Sequence, residues 1–162
     1  PAARPAREQL AQALSAAGRA EIHWTVEGQL IRSTEIKAAS PEFLVSLPGA
    51  GPWPFQLLVY AQSRSSKYGS AGFRRAAGRG RVELRCLRPA PEGCGEVRLT
   101  LRVGASAREQ PPRGPLAHDF SKQGCCGLRN WDFAGAIDEA LDKLLITCEL
   151  ELLGPSGGAP QL

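Results

Sequence analysis

Hydrophobic and polar residues alternate with a period of two along most of the chain, which is the pattern of half-buried β-strands. The segment Glu96–Val103 alternates Val or Leu with Arg or Thr, and Lys143–Leu152 places Leu144, Ile146 and Cys148 on one face. The predicted strands are 21–27, 30–36, 43–47, 53–61, 82–86, 96–103, 116–120 and 143–152. Short strands separated by turn residues predict an all-β fold, an antiparallel β-sandwich of seven to eight strands.

The two ends of the chain lack this alternation. Ala6–Ala17 places Leu10 and Leu14 four residues apart before Gly18, which predicts a short N-terminal helix. The last nine residues are rich in Gly and Pro and predict a flexible tail. We therefore expect an N-terminal helical or extended segment over 1–20, the sandwich over 21–153 and the tail over 154–162.

Composition narrows the class of protein. The chain has 162 residues, of which 43% are hydrophobic and 22% charged, and this suits one globular domain with a core. It contains no run of 18 apolar residues, so we expect no membrane-spanning helix. Aromatic residues make up only 6%, so sites lined by aromatic side chains will be scarce.

The five cysteines do not form the pattern of a disulfide framework or a zinc site. They are Cys86, Cys94, Cys125, Cys126 and Cys148. Their odd number and the lack of paired C-x-x-C spacing predict mostly reduced thiols, no metal and no cofactor. We expect a reducing intracellular compartment, the cytoplasm. An organelle is the alternative, because residues 1–19 are rich in Arg and Ala and poor in acids, as in the remnant of a targeting peptide.

Catalytic motifs are weak in this sequence. The chain has two histidines and no G-x-S-x-G nucleophile elbow. A thiolate pair of His118 with Cys125 or Cys126 is the weakest of the hypotheses, since loop cysteines near a histidine are usually not catalytic. We predict that the protein is not an enzyme and assign no catalytic residue.

A basic stretch at Arg74–Arg88 gives an alternative function. Positive charge clustered in one segment is typical of sites for nucleic acid or other anions. The candidate anion-binding residues are Arg74, Arg75, Arg79 and Arg81. Only Tyr68 and Phe73 lie nearby to stack on bases, so a nucleic acid is the less favoured partner.

Several motifs follow one another in an order that is found in a known family. Ile22–Val26 is similar to a first strand of the form Y-x-W-T-I, and Trp53–Tyr60 is similar to a W-x-L-x-V-Y strand. Near the end, an irregular segment with Ile137–Glu139 leads to Asp142–Leu150, which is similar to a closing strand D-K-L-T-L-x-C-E-V. In this order and spacing, residues 21–153 resemble a MATH (TRAF-C-like) domain.

The resemblance implies an eight-stranded antiparallel sandwich that has no catalytic activity of its own. Members of this family bind short peptides as an added strand along a sheet edge. Matched by position, the edge segment is Gln123–Leu128, and a flanking aromatic position falls on His118. The predicted partner-binding residues are His118, Phe120, Gln123, Gly124, Cys125, Cys126, Gly127 and Leu128. We expect Gly124–Gly127 to form a turn whose glycines let a partner backbone approach closely.

This sequence departs from the family pattern at three of these positions. Cys126 stands where the family has a turn Trp, Leu128 where it has a turn Phe, and His118 where it has a pocket Tyr. The resemblance therefore implies a degenerate groove with shallow side-chain pockets. We expect a non-catalytic protein–protein interaction module that binds a partner segment by its sheet edge, or an accessory or structural subunit of a larger assembly.

Overall fold

Two antiparallel β-sheets packed face to face make up the structure. The computed structural model describes residues 10–15, 18–62 and 72–153, and for residues 11–15 the backbone alone. The strands are β1 (Leu10–Ser15), β2 (Arg19–Glu27), β3 (Lys37–Ala39), β4 (Phe43–Leu47), β5 (Gly51–Ala61), β6 (Arg79–Cys86), β7 (Val97–Val103), β8 (Arg113–His118), β9 (Cys125–Asp132) and β10 (Lys143–Leu152). Single helical turns are α1 (Gly28–Ile31), α2 (Phe133–Ala136) and the 3-10 turn Ser106–Arg108.

Sheet I has the strand order β1-β2-β10-β7-β8, and sheet II has the order β3-β5-β6-β9, with β4 also paired to β5. All of these pairings are antiparallel. The predicted antiparallel sandwich is therefore confirmed, although the described residues form ten strands instead of seven to eight. Strands β8 and β9 follow each other in the sequence, but β8 is an edge strand of sheet I and β9 is an edge strand of sheet II.

The core lies between the sheets and follows the predicted alternation. Along β10, the side chains of Leu144, Ile146, Cys148 and Leu150 are all buried. On the neighbouring strands of sheet I, the buried residues are Ile22, Trp24, Val97, Leu99, Leu101 and Val103. From sheet II, the facing layer consists of Phe43, Val45, Phe55, Leu57, Val59, Val82, Leu84 and Trp131. Burial of these apolar side chains supplies the main driving force for folding.

The N-terminal helix predicted over 6–17 is wrong for the part that the structure describes. Leu10–Ser15 is strand β1, and it pairs with β2 from Leu10 opposite Trp24 to Ser15 opposite Arg19. An isolated helix of this length is marginal in water, whereas a strand can bond to the open edge of β2 along its whole length. Sheet I thus extends before the predicted boundary at residue 21, and residues 1–9 and 154–162 lie outside the described part.

Leu30–Ile36, which the alternation predicts to be a strand, is also different. The chain leaves β2 at Gly28, whose N–H donates to the Asp142 carbonyl at 2.8 Å. Arg32 then donates to both carboxylate oxygens of Asp142 at 2.7 and 2.9 Å. These contacts fold the chain into α1 against the turn before β10, so that sheet II begins only at β3.

Candidate functional site

The predicted partner-binding residues lie at the end of β8, in the loop that follows it and on β9. β8 pairs only with β7 and ends sheet I, and β9 pairs only with β6 and ends sheet II, within the described chain. Of the predicted turn Gly124–Gly127, the last three residues are instead extended and, with Leu128, form the first half of β9. The segment is therefore an extended edge strand, which is the geometry that strand addition requires.

The backbone of β9 alternates between two directions. β6 donates an N–H to the Gly124 carbonyl at 2.8 Å, and the register continues at Cys126 and Leu128. In an antiparallel ladder, bonded residue pairs alternate with pairs whose N–H and C=O groups point away from each other. Cys125 and Gly127 therefore direct both of their backbone groups away from β6, towards the open edge.

A side chain holds the edge on the N-terminal side of these two residues. Nε2 of His118 lies 2.8 Å from the carbonyl oxygen of Gln123, and since a carbonyl only accepts, the ring donates. The His118 ring meets the Phe120 ring edge to face, with 4.5 Å between the centroids. His118 thus fixes the loop that enters β9.

Arg113, a residue that the sequence analysis did not select, holds the edge on the C-terminal side. Its guanidinium group donates to the carbonyl of Arg129 at 2.6 Å and to that of Asn130 at 3.0 Å. Further along, the amide of Gln110 donates to the Asp132 carbonyl. Between the carbonyl that His118 bonds and those that Arg113 bonds, no described group bonds to the outward N–H and C=O groups of Cys125 and Gly127. We call these two residues, with their unbonded backbone groups, the open edge segment.

The predicted partner-binding residues divide into an outer and an inner group. Phe120 is 2% exposed and packs edge to face on Phe55, so it belongs to the core. Cys126 and Leu128 also pack against the core, and burial raises the pKa of the Cys126 thiol to about 12. The outer group consists of His118, Gln123, Gly124, Cys125 and Gly127. Any contact with a partner's side chains must therefore come mainly from this group and from strand β6.

The two glycines play different roles from the one predicted for them. A Cβ atom on Gly127 would overlap the Val82 carbonyl oxygen and lie 2.9 Å from the Cα of Glu83, so the close approach is to the protein's own strand β6. At Gly124, a Cβ atom would meet only the Cys86 carbonyl oxygen, at 3.9 Å. Gly127 is therefore required by the fold, whereas Gly124 is not.

Charged residues of β6 lie beside the open edge segment on the outer face of sheet II. The carboxylate of Glu83 is only 8% exposed, and it is held between Arg81 at 3.3 Å and Arg85 at 2.9 Å. The bond to Glu83 raises the pKa of Arg85, which also donates to the Tyr60 hydroxyl at 3.0 Å. In the register, Glu83 lies opposite Gly127 and Arg85 lies opposite Cys125.

The four arginines predicted to bind an anion do not form one free cluster among the described residues. Arg81 is paired with Glu83 and lies over the Tyr60 ring, 4.3 Å from its centroid. Arg74 donates from Nε to the Arg32 carbonyl at 3.2 Å. Arg75 and Arg79 are exposed. Two of the four side chains thus already have partners within the protein.

All five cysteines are free thiols. Burial is the main cause that raises the pKa of Cys86, Cys94, Cys126 and Cys148, and Cys148 is fully buried. Cys125 is half-buried on the edge strand. Across the described residues, no group of three or more His, Cys, Asp or Glu side chains could hold a metal ion.

None of the helices in the described residues is long and apolar enough to cross a membrane. No protein-family model matches this chain, and a search of curated proteins found no significant match.

Proposed function

We propose that this protein is a non-catalytic protein–protein interaction module of MATH type that binds an extended segment of a partner as an added strand on β9. The observation that carries this proposal is the open edge segment. Two residues with outward N–H and C=O groups lie between carbonyls that are already bonded to His118 and Arg113. A partner strand would satisfy the backbone groups of Cys125 and Gly127 with its own.

The surroundings of the open edge segment favour a partner that is held mainly by its backbone. Gly127 has no side chain, and the thiol of Cys125 is small, so few side-chain contacts are available. Two paired residues give four backbone hydrogen bonds, each contributing about 0.5–1.5 kcal/mol net. Together these bonds give about 2–6 kcal/mol, and the cost of ordering the partner reduces this further, so we expect a dissociation constant of about 0.1 mM or weaker.

A library of random twelve-residue peptides displayed on phage, selected against the whole chain, tests the proposal. The deciding variant is Cys125→Pro, which removes an outward N–H and places a ring in the path of the partner, while proline is tolerated on an edge strand. Cys125→Ser is the matched control, because it changes the side chain and keeps the N–H.

We expect synthetic copies of the selected peptides to bind wild type and Cys125→Ser within about twofold of each other in fluorescence anisotropy. Loss of a hydrogen bond together with steric blocking predicts at least about tenfold weaker binding to Cys125→Pro. Equal binding to the proline variant, with its fold shown intact by circular dichroism, would place the binding site elsewhere. Failure of the library to yield any wild-type binder would contradict the proposal as well.

A further inference from the structure

One guanidinium group bonds to two successive carbonyls of β9, which a regular strand does not allow. Successive carbonyls of a strand point in opposite directions, so a single side chain at one edge reaches only every second one. The register between β9 and β6 shifts between Gly80 and Val82 of β6, and Asn130 of β9 has φ 63°. This bulge turns the carbonyls of Arg129 and Asn130 to the same side, where Arg113 donates to both.

The side chain of Arg113 is itself held in place. Its guanidinium carbon lies 4.0 Å from the centroid of the Trp131 ring, and that ring is fully buried. A guanidinium over an indole face is favourable, and the planar fork is well suited to two parallel acceptors. Arg113 thus connects the edge of sheet I to the edge of sheet II across the open side of the sandwich.

The arrangement limits how far a partner strand can pair. Beyond Gly127, the outward carbonyls of Arg129, Asn130 and Asp132 are all bonded to side chains of this protein. A partner strand that extends beyond Gly127 therefore finds these three acceptors already occupied. A strand that pairs with Cys125 and Gly127 would then meet the Arg113 side chain.

We propose that Arg113 is a stop for strand addition, so that the partner is a short extended segment of about five residues or fewer, such as a chain end or a linear motif. This inference rests on the proposed function and deepens it, because it assigns a length and an end point to the bound segment. Arg113 is here a specificity-determining residue that acts by occupying backbone acceptors.

Peptides of different lengths test the stop. The probes are the peptides selected on the whole chain, trimmed to three and five residues and lengthened with alanine to seven and nine, in two series that grow from either end. For wild type, we expect affinity to rise up to five residues and then to stay constant within about twofold in both series.

The deciding variant is Arg113→Met, which keeps an apolar stem over Trp131 and removes both donors. It frees two acceptors, and each additional ladder hydrogen bond is worth a factor of about 2–10 in affinity. The seven- and nine-residue peptides of one series should therefore bind this variant more tightly than the five-residue peptide does, by about 2–10 times when one freed carbonyl is used and by up to about 100 times when both are. In the other series, which grows towards His118, the plateau should remain.

Two further variants keep the test decisive if Arg113→Met does not fold. Arg113→Lys keeps a cation near the Trp131 ring but replaces the planar fork with a compact, strongly hydrated ammonium group that holds the two carbonyls less well, so it should give a smaller gain in the same series. Gln110→Ala frees only the Asp132 carbonyl, which lies beyond Arg113, and should leave the plateau unchanged.

The outcomes separate this inference from the proposed function. If Cys125→Pro binds the peptides as tightly as wild type does, the proposed function is wrong and the stop is wrong with it. If Cys125→Pro loses binding but wild-type affinity keeps rising to nine residues in both series, strand addition stands and the stop is overturned. An unchanged plateau in the folded Arg113 variants would also overturn it.

Discussion

Replacing Ile146 by alanine is the sharpest test of how the sandwich is held together. Ile146 lies in the middle of β10, the strand of sheet I that pairs with β2 on one side and β7 on the other. Its side chain is 0% exposed, and its cross-strand neighbours are Trp24 and Val103. The substitution removes three carbon atoms from the centre of the core.

The expected loss of stability has two parts. Three buried carbons at about 0.8 kcal/mol each give about 2.4 kcal/mol of lost transfer free energy. The residual cavity adds up to about 2 kcal/mol, depending on how far Trp24 and the other neighbours relax into it. We therefore expect the free energy of unfolding to fall by about 2–4 kcal/mol for Ile146→Ala and by about 1 kcal/mol for Ile146→Val.

Urea denaturation followed by tryptophan fluorescence measures this loss, and the thermal midpoint should fall by about 2–4 °C for each kcal/mol. Leu141→Ala is the matched control, because it also removes three carbons, but from a side chain that is 66% exposed. We expect the control to change stability by less than about 0.5 kcal/mol. Equal effects of the two substitutions would refute the assignment of β10 to the core.

Three further predictions follow from the edge strand and its thiols. In the native protein, we expect Cys125 alone to react rapidly with a thiol reagent such as Ellman's reagent, and the other four thiols only after denaturation; two or more rapid thiols would contradict the burial described above. Because burial raises the pKa of Cys126 to about 12, its thiol ionises at lower pH in the unfolded chain than in the folded one. Stability should therefore fall between about pH 9 and 12 by up to about 1.4 kcal/mol per pH unit from this group, and pH-dependent urea titrations of Cys126→Ala should lack this contribution. Finally, Gly127→Ala should lower the free energy of unfolding by about 2 kcal/mol or more, while Gly124→Ala should stay within about 0.5 kcal/mol of wild type in the same assay.

The central strands could be predicted from the sequence because their inward face is apolar and their outward face is mostly polar, so the two kinds of residue alternate. In β7 and β10, each inward apolar residue is followed by an Arg, Thr or Glu that points outward over much of the strand, so the period of two is visible. The residues that fill the core therefore follow directly from the pattern. Packing then selects the sandwich.

Strand β9 was missed because its outward positions are not polar. Its first four residues are Cys, Cys, Gly and Leu, which carry no alternation, and glycines are typical of turns. The reason for Gly127 is the close approach of the Val82 carbonyl, a contact between residues 45 positions apart in the chain. No local pattern reports such a contact.

Strand β1 and the role of Arg113 could not be predicted for the same physical reason. The sequence Leu10–Ser15 has good helix formers, and only pairing with β2 makes it a strand. Arg113 acts on carbonyls 16 and 17 residues away, through a bulge at Asn130. The sequence does carry an asparagine at position 130, and asparagine adopts the left-handed region more often than most residues, so this residue type was a signal for the bulge.

Amide hydrogen exchange of the free protein, followed residue by residue by NMR, tests the central claim most directly. If β9 has an open edge segment, the N–H groups of Cys125 and Gly127 should exchange at rates typical of exposed amides, while those of Cys126 and Leu128, bonded to β6, should be strongly protected. On saturation with a selected peptide, Cys125 and Gly127 should become protected as well. Protection of Cys125 and Gly127 in the free protein, or their continued rapid exchange in the saturated complex, would contradict strand addition at this edge.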